Sequence, residues 1–98
     1  MKRIQKFTEV KKMTKLIEKN TTGNMKIYDD SVLIVLYSYS SRIAEVDSDG
    51  KIRLFQDFDY SATTRKHLAY FLKKYAGVHL TRKQKMAIRK ETIEKLGY

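Results

Sequence analysis

Residues 32–55 read VLIVLYSYSSRIAEVDSDGKIRLF, and this stretch decides the fold. Its first part is apolar at both parities, with Val32, Ile34 and Leu36 on one side and Leu33, Val35 and Tyr37 on the other. A strand of that kind is covered on both faces at its middle and belongs in the centre of a sheet. Ser40-Ser41 and Asp47-Ser48-Asp49-Gly50 interrupt the run. Asp and Gly accept the positive φ that tight hairpins demand, so Val32–Tyr39, Arg42–Val46 and Lys51–Phe55 are expected to form an antiparallel meander. Met25–Tyr28, set off by Asp29-Asp30-Ser31, has the same strand chemistry and extends it upstream.

On either side the period changes to that of a helix. Downstream, Leu68, Phe71, Leu72 and Tyr75 stand at i, i+3, i+4 and i+7, with Gly77 as the stop. A further helix is expected from Thr81, carrying a thin stripe of Met86, Ile93 and Leu96 up to Gly97. So narrow an apolar face suits a peripheral or partner-dependent helix. Upstream, Phe7, Val10, Met13, Leu16 and Ile17 share a broad helical face opposite Lys11, Lys12, Lys15 and Lys19, so an amphipathic helix is expected over residues 3–19. A short strand at Phe7–Val10 is the alternative there. Asn20-Thr21-Thr22-Gly23-Asn24 reads as the helix stop. The expectation is therefore a single α+β domain over residues 1–98. It has a three- to four-stranded antiparallel meander, an N-terminal helix and two C-terminal helices, residues 81–98 forming the peripheral one.

The 98-residue chain has 21 Lys and Arg against 11 Asp and Glu, a net charge of +10, and no Cys or Pro. The absence of Cys excludes disulfides, a thiol nucleophile and thiolate metal sites. No apolar run approaches the ~18 residues of a membrane helix, and a cytoplasmic protein is expected. The charge is polarised: residues 1–22 are net +5, residues 23–60 net −3 and residues 61–98 net +8. Such polarity points to a polyanionic partner, nucleic acid first.

The helix beginning near Ser61 carries the main constellation. At 100° per residue, Lys66, His67, Tyr70, Lys73 and Lys74 gather on its polar face, cations around an aromatic ring. Phosphates and an unstacked base would each find a partner there. Ordinary solvation of an outer face, with Tyr70 lying along lysine stems, gives the same pattern. Ser61, Thr63, Thr64 and Arg65 precede that face, where free N–H groups, hydroxyls and cations could cradle a phosphate. An N-cap by Ser61 or Thr63 explains the hydroxyls equally well. The last helix adds Arg82, Lys83, Lys85 and Arg89. In a helix-turn-helix reading Arg82, Lys83, Gln84 and Lys85 would face a major groove, although an αα-hairpin on a sheet has the same pattern.

Tyr37-Ser38-Tyr39, Ile43-Ala44, Gly50-Lys51 and Tyr60-Ser61-Ala62-Thr63-Thr64-Arg65-Lys66-His67 with Phe71-Leu72 carry a resemblance. Over residues 24–76 the chain resembles a group of short, uncharacterised proteins encoded by phages, prophages and plasmids of low-GC Gram-positive bacteria. The resemblance implies a mobile-element origin, where small single-domain proteins commonly bind DNA or RNA or block a host defence nuclease.

Catalysis finds little support in the residues. His67 and His79 are the two histidines and fall in different elements. Asp57 and Asp59 flank Phe58 and serve as well as loop acids near a helix start. The Asp47–Gly50 turn is too short for an EF-hand, and no P-loop, GxGxxG, GxSxG or HExxH occurs. The expected function is thus a non-enzymatic accessory protein that needs no cofactor or metal. It would bind DNA or RNA backbone through basic helix faces, with Tyr70 or a sheet-edge tyrosine stacking on a base. The alternative is an anti-defence, anti-CRISPR-like inhibitor that sets its basic face on an acidic protein surface or an RNA-guided nuclease. No membrane partner is expected.

Overall fold

The computed structural model describes residues 14–96. Five strands form one antiparallel sheet in sequence order: β1 (Lys15–Lys19), β2 (Met25–Asp29), β3 (Leu33–Ser38), β4 (Ser41–Asp47) and β5 (Ile52–Leu54). Two helices follow, α1 (Ala62–Phe71), continued by a π-helical turn (Leu72–Ala76), and α2 (Arg82–Leu96). The small α+β class, the meander and both C-terminal helices agree with the sequence reading. The strand predicted to be central is β3, the third of five, and it buries residues of both parities, Leu36 completely and Val35 at 5 % exposure.

The beginning of the chain differs from expectation. Residues 15–19 form a fifth strand where the periodicity predicts a helix, and the rest of that predicted helix, with Phe7, Val10 and Met13, lies outside the described residues. The turn signal at Asn20–Asn24 is compatible with either outcome. Here it closes a hairpin: Gly23 sits at φ +79°, its N–H donates to the Asn20 carbonyl at 3.1 Å, and Asn20 Oδ1 accepts from the Met25 N–H at 3.0 Å. The physical reason is the edge of β2. Left unpaired, it would expose a row of backbone donors and acceptors, and β1 satisfies them at the register Lys15↔Asp29, Leu16↔Tyr28, Glu18↔Ile27 and Lys19↔Lys26.

The core lies on one face of the sheet. Ile27, Leu36, Ile43, Ala44, Val46 and Leu54 pack there against Phe58 of the β5–α1 connection and Leu68, Phe71 and Leu72 of the helical layer. Ser61 caps α1, its Oγ accepting from the Thr64 N–H at 3.1 Å, and Gly77 ends the π-helical turn at φ +66°. Helix α2 packs mainly on β5, whereas a helix-turn-helix packs its second helix on its first. Thr92 makes that packing polar as well as apolar. It is buried, its Oγ1 accepts from the Leu54 N–H at 3.2 Å, and it donates to the Ile88 carbonyl at 2.8 Å.

Candidate functional site

Helix α1 begins from residues that the sheet has already claimed. Ser38 at the end of β3 places its Oγ 3.0 Å from Thr64 Oγ1 and 2.9 Å from His67 Nδ1, and Ser61 Oγ lies 3.2 Å from Thr64 Oγ1. Ser38 is 2 %, Thr64 1 % and His67 8 % exposed. This is a polar seam between sheet and helix, in which each buried hydroxyl has a partner, as burial requires. Two sequence expectations change as a result. The hydroxyls of Ser61 and Thr64 are engaged in the cap and the seam, and His67 leaves the polar face because Ser38 stands opposite it. Burial holds the His67 imidazole below its usual pKa, so it is neutral near pH 7.

Tyr70 and Lys74 are tied down by a residue to which the sequence reading assigned no role. Glu18, on the helix-facing side of β1, accepts hydrogen bonds from the Tyr70 hydroxyl, from Tyr75 at 2.6 Å and from Lys74 Nζ at 3.0 Å. Burial pushes the Glu18 carboxyl up, but the bonds from Tyr70, Tyr75 and Lys74, with the Lys74 charge, outweigh it and hold the group below the usual carboxylate range. The same cluster raises Lys74, chiefly through its bond to Glu18, while burial and that carboxylate push Tyr75 up to about 12. Lys74 also stands 5.6 Å from the ring centroids of both Tyr70 and Tyr75. Only tertiary pairing brings Glu18 to these residues, since it lies 52 to 57 positions away along the chain.

The remaining candidates divide. Thr63 is half-buried and Arg65 is exposed, with Nη1 at 3.4 Å from the Asp59 carbonyl. Arg82 pairs with Asp59 at 3.5 Å, which gives that acid a structural partner. Arg89 lays its guanidinium 6.0 Å from the Phe58 ring centroid. Lys66, Lys73 and Lys83 are exposed, Lys85 is half-buried, and none of the four side chains has an ion-pair partner among the described residues. His67 is thus buried, while Tyr70 and Lys74 stay exposed but are engaged by Glu18.

The opposite face of the sheet supplies features that helical periodicity could not show. Pairing aligns Lys26, Tyr37 and Arg42 across β2, β3 and β4. Tyr28, Val35, Glu45 and Arg53 form the neighbouring row. A hollow of about 450 Å³ opens there, next to the exposed Tyr39. The alternation Lys26-x-Tyr28 and Val35-x-Tyr37-x-Tyr39 was the available signal. Its meaning depended on which face the helices cover. Among the described residues no three His, Asp or Glu side chains gather as a metal-binding group. No helix among them is long and apolar enough to cross a membrane.

No curated protein and no solved structure matches the chain. A family profile does match, and it reaches further in both directions than the resemblance over residues 24–76. With residues 6–94 matched, the chain belongs to DUF8033, a family of unknown function.

Proposed function

We propose that the protein is a non-enzymatic nucleic-acid-binding protein whose basic helical layer grips phosphates. One observation carries this reading: residues 61–90 hold nine Lys and Arg and no acid, and they form α1, the π-helical turn and most of α2. Lys66, Lys73, Lys83 and Lys90 stand exposed along that layer. The acids of the sheet, by contrast, are mostly engaged within the fold: Glu45 with Arg42 and Arg53, Asp47 with Arg53, and Glu18 with Lys74. A cationic layer backed by a self-neutralised sheet attracts a polyanion from one side. The likeness of residues 24–76 to short phage, prophage and plasmid proteins supports an accessory role on a mobile element.

Binding to a panel of DNA and RNA at two salt concentrations tests the reading. Contact with about five phosphates loses roughly two to three decades of affinity between about 50 and 200 mM salt. Absence of binding, or binding indifferent to salt, overturns it. Capture of a host protein that survives complete nuclease digestion favours the anti-defence inhibitor instead.

A further inference from the structure

The sheet face turned away from the helices is built of aromatic rings with cations at one side. Successive residues of a strand point to opposite faces, and Ile27, Leu36 and Ala44 point into the core. Lys26, Tyr28, Val35, Tyr37 and Arg42 therefore share the outer face. Tyr28 and Tyr37 meet edge to face, with ring centroids 5.6 Å apart and planes at 85°. Beneath them Val35 is 5 % exposed, and the 450 Å³ hollow is walled by Lys26, Tyr28, Val35, Tyr37, Tyr39 and Arg42 among others.

The acids of this face are satisfied from within. Glu45, 4 % exposed, accepts from Arg42 and, at 3.2 Å, from Arg53 Nη1. Asp30 Oδ1 accepts from the Val32 and Leu33 N–H groups at 3.0 and 2.6 Å. Lys26 and Lys19, paired across β2 and β1, have no acidic partner among the described residues. The cationic side of the face is thus next to Tyr37, the register partner of Lys26.

Tyr39 supplies the second observation. It sits at φ +58°, a left-handed conformation that a bulky side chain adopts at a cost; its ring is tilted against the His67 imidazole, centroids 6.4 Å apart, yet it remains 49 % exposed at the rim of the hollow. A hairpin position of this kind favours Gly or Asn. An exposed aromatic held there against its backbone preference is a feature of binding sites.

The geometry points to a single-stranded nucleic acid as the occupant of this face, with an unpaired base stacked on Tyr37, Tyr39 bordering it at the rim, and its phosphates on Lys19 and Lys26. Aromatic platforms beside cations bind single strands because every base has a π face, and a duplex keeps those faces inside its own stack. The inference rests on the nucleic-acid reading above and adds to the helical layer a second contact surface, on the opposite face of the sheet, that takes strands with free bases.

Fluorescence anisotropy with the full chain tests it, using labelled oligothymidylate, oligouridylate and a duplex, each of about 12 nucleotides or base pairs, a length within the range of known single-strand sites. Both single strands are expected to bind at least about tenfold tighter than the duplex. Tyr37→Leu is expected to lose about 5- to 150-fold on single strands, the range for removing one stacked base, while duplex affinity changes less than about twofold. Tyr37→Phe keeps the ring and binds as the parent does. Tyr39→Asn also weakens single-strand binding, and its melting curve shows whether the loss of the ring beside His67 affects folding as well. If Tyr37→Leu does not fold, Tyr39→Asn decides. Equal affinity for single strand and duplex, unaltered by these substitutions, overturns the inference and leaves the helical-layer reading standing. No binding to any nucleic acid overturns both, and a dimer dissolved by Tyr37→Leu assigns the face to a second copy of the chain.

Discussion

Tyr75 donates its hydroxyl to Glu18 Oε1 at 2.6 Å, joining the edge strand β1 to the π-helical turn that follows α1. The same carboxylate takes Lys74 and Tyr70. One acid on the sheet thereby fastens the first strand to the helical layer and partly neutralises the surface proposed to meet phosphates.

Glu18→Gln is accordingly expected to act in opposite directions on two measurements. Folding stability falls by about 1 to 3 kcal/mol, because hydrogen bonds to a charged acceptor are among the stronger ones, and chemical denaturation reads the loss. Nucleic-acid affinity at low salt rises, since Lys74 is released and the net charge increases by one. A variant that is destabilised but binds no better places Lys74 outside the interface.

The Glu18 carboxyl, held below its ordinary value, also sets a pH dependence. The unfolded chain binds the proton first, so this contribution is complete above pH ~4.5 and is lost as pH falls through the lower folded value. Unfolding curves of parent and Glu18→Gln are expected to converge below pH ~4.5 and to stay apart above it.

His67 operates in a different window. Its folded pKa is depressed by burial, so below pH ~6.5 the unfolded state takes up a proton that the folded state resists. Stability is expected to decline as pH falls from about 7.5 to 5.5. His67→Asn should flatten that decline while lowering stability at pH 7.5 through the altered bonding to Ser38. A slope that is unchanged in the variant assigns the decline to other groups.

Thr92 is expected to matter more than its place in a highly charged helix suggests. Thr92→Val keeps the shape but removes the acceptor of the Leu54 N–H, a group on a fully buried residue, at a cost of about 1 to 3 kcal/mol. Thr92→Ser should recover most of it. Thermal melts of the two variants decide whether this bond secures α2 on β5.

Lys66→Ala with Lys73→Ala should shift stability by less than about 0.5 kcal/mol, as is usual for exposed residues without partners. The slope of log affinity against log salt should become shallower by about 0.9 for each phosphate that these lysines no longer neutralise. A large fall in stability assigns the two lysines a structural role.

Much of the architecture was readable without coordinates. The double-parity run Val32–Tyr37 marked the central strand, Asp47–Gly50 the β4–β5 hairpin, and Leu68, Phe71, Leu72 with Gly77 the first helix and its stop. Each is a local preference of backbone or periodicity, so neighbouring residues suffice to express it. The stretch Lys15–Lys19 is the contrary case. Its apolar spacing fitted a helix, and it became a strand because the free edge of β2 offered backbone partners that a helix would have left exposed.

The basic character of the helices, nine cations and no acid over residues 61–90, is likewise a property of the sequence, as is the +10 total. Which of those cations face solvent without a partner is not. Helical periodicity grouped Lys66, His67, Tyr70, Lys73 and Lys74, but Ser38 drew His67 inward and Glu18 engaged Tyr70 and Lys74, both from strands far away in the chain. The tyrosines of the sheet show the same limit. Their alternation was visible from the start, but whether Tyr28 and Tyr37 face the core or the open side depended on which face the helices covered, and only long-range packing decides that.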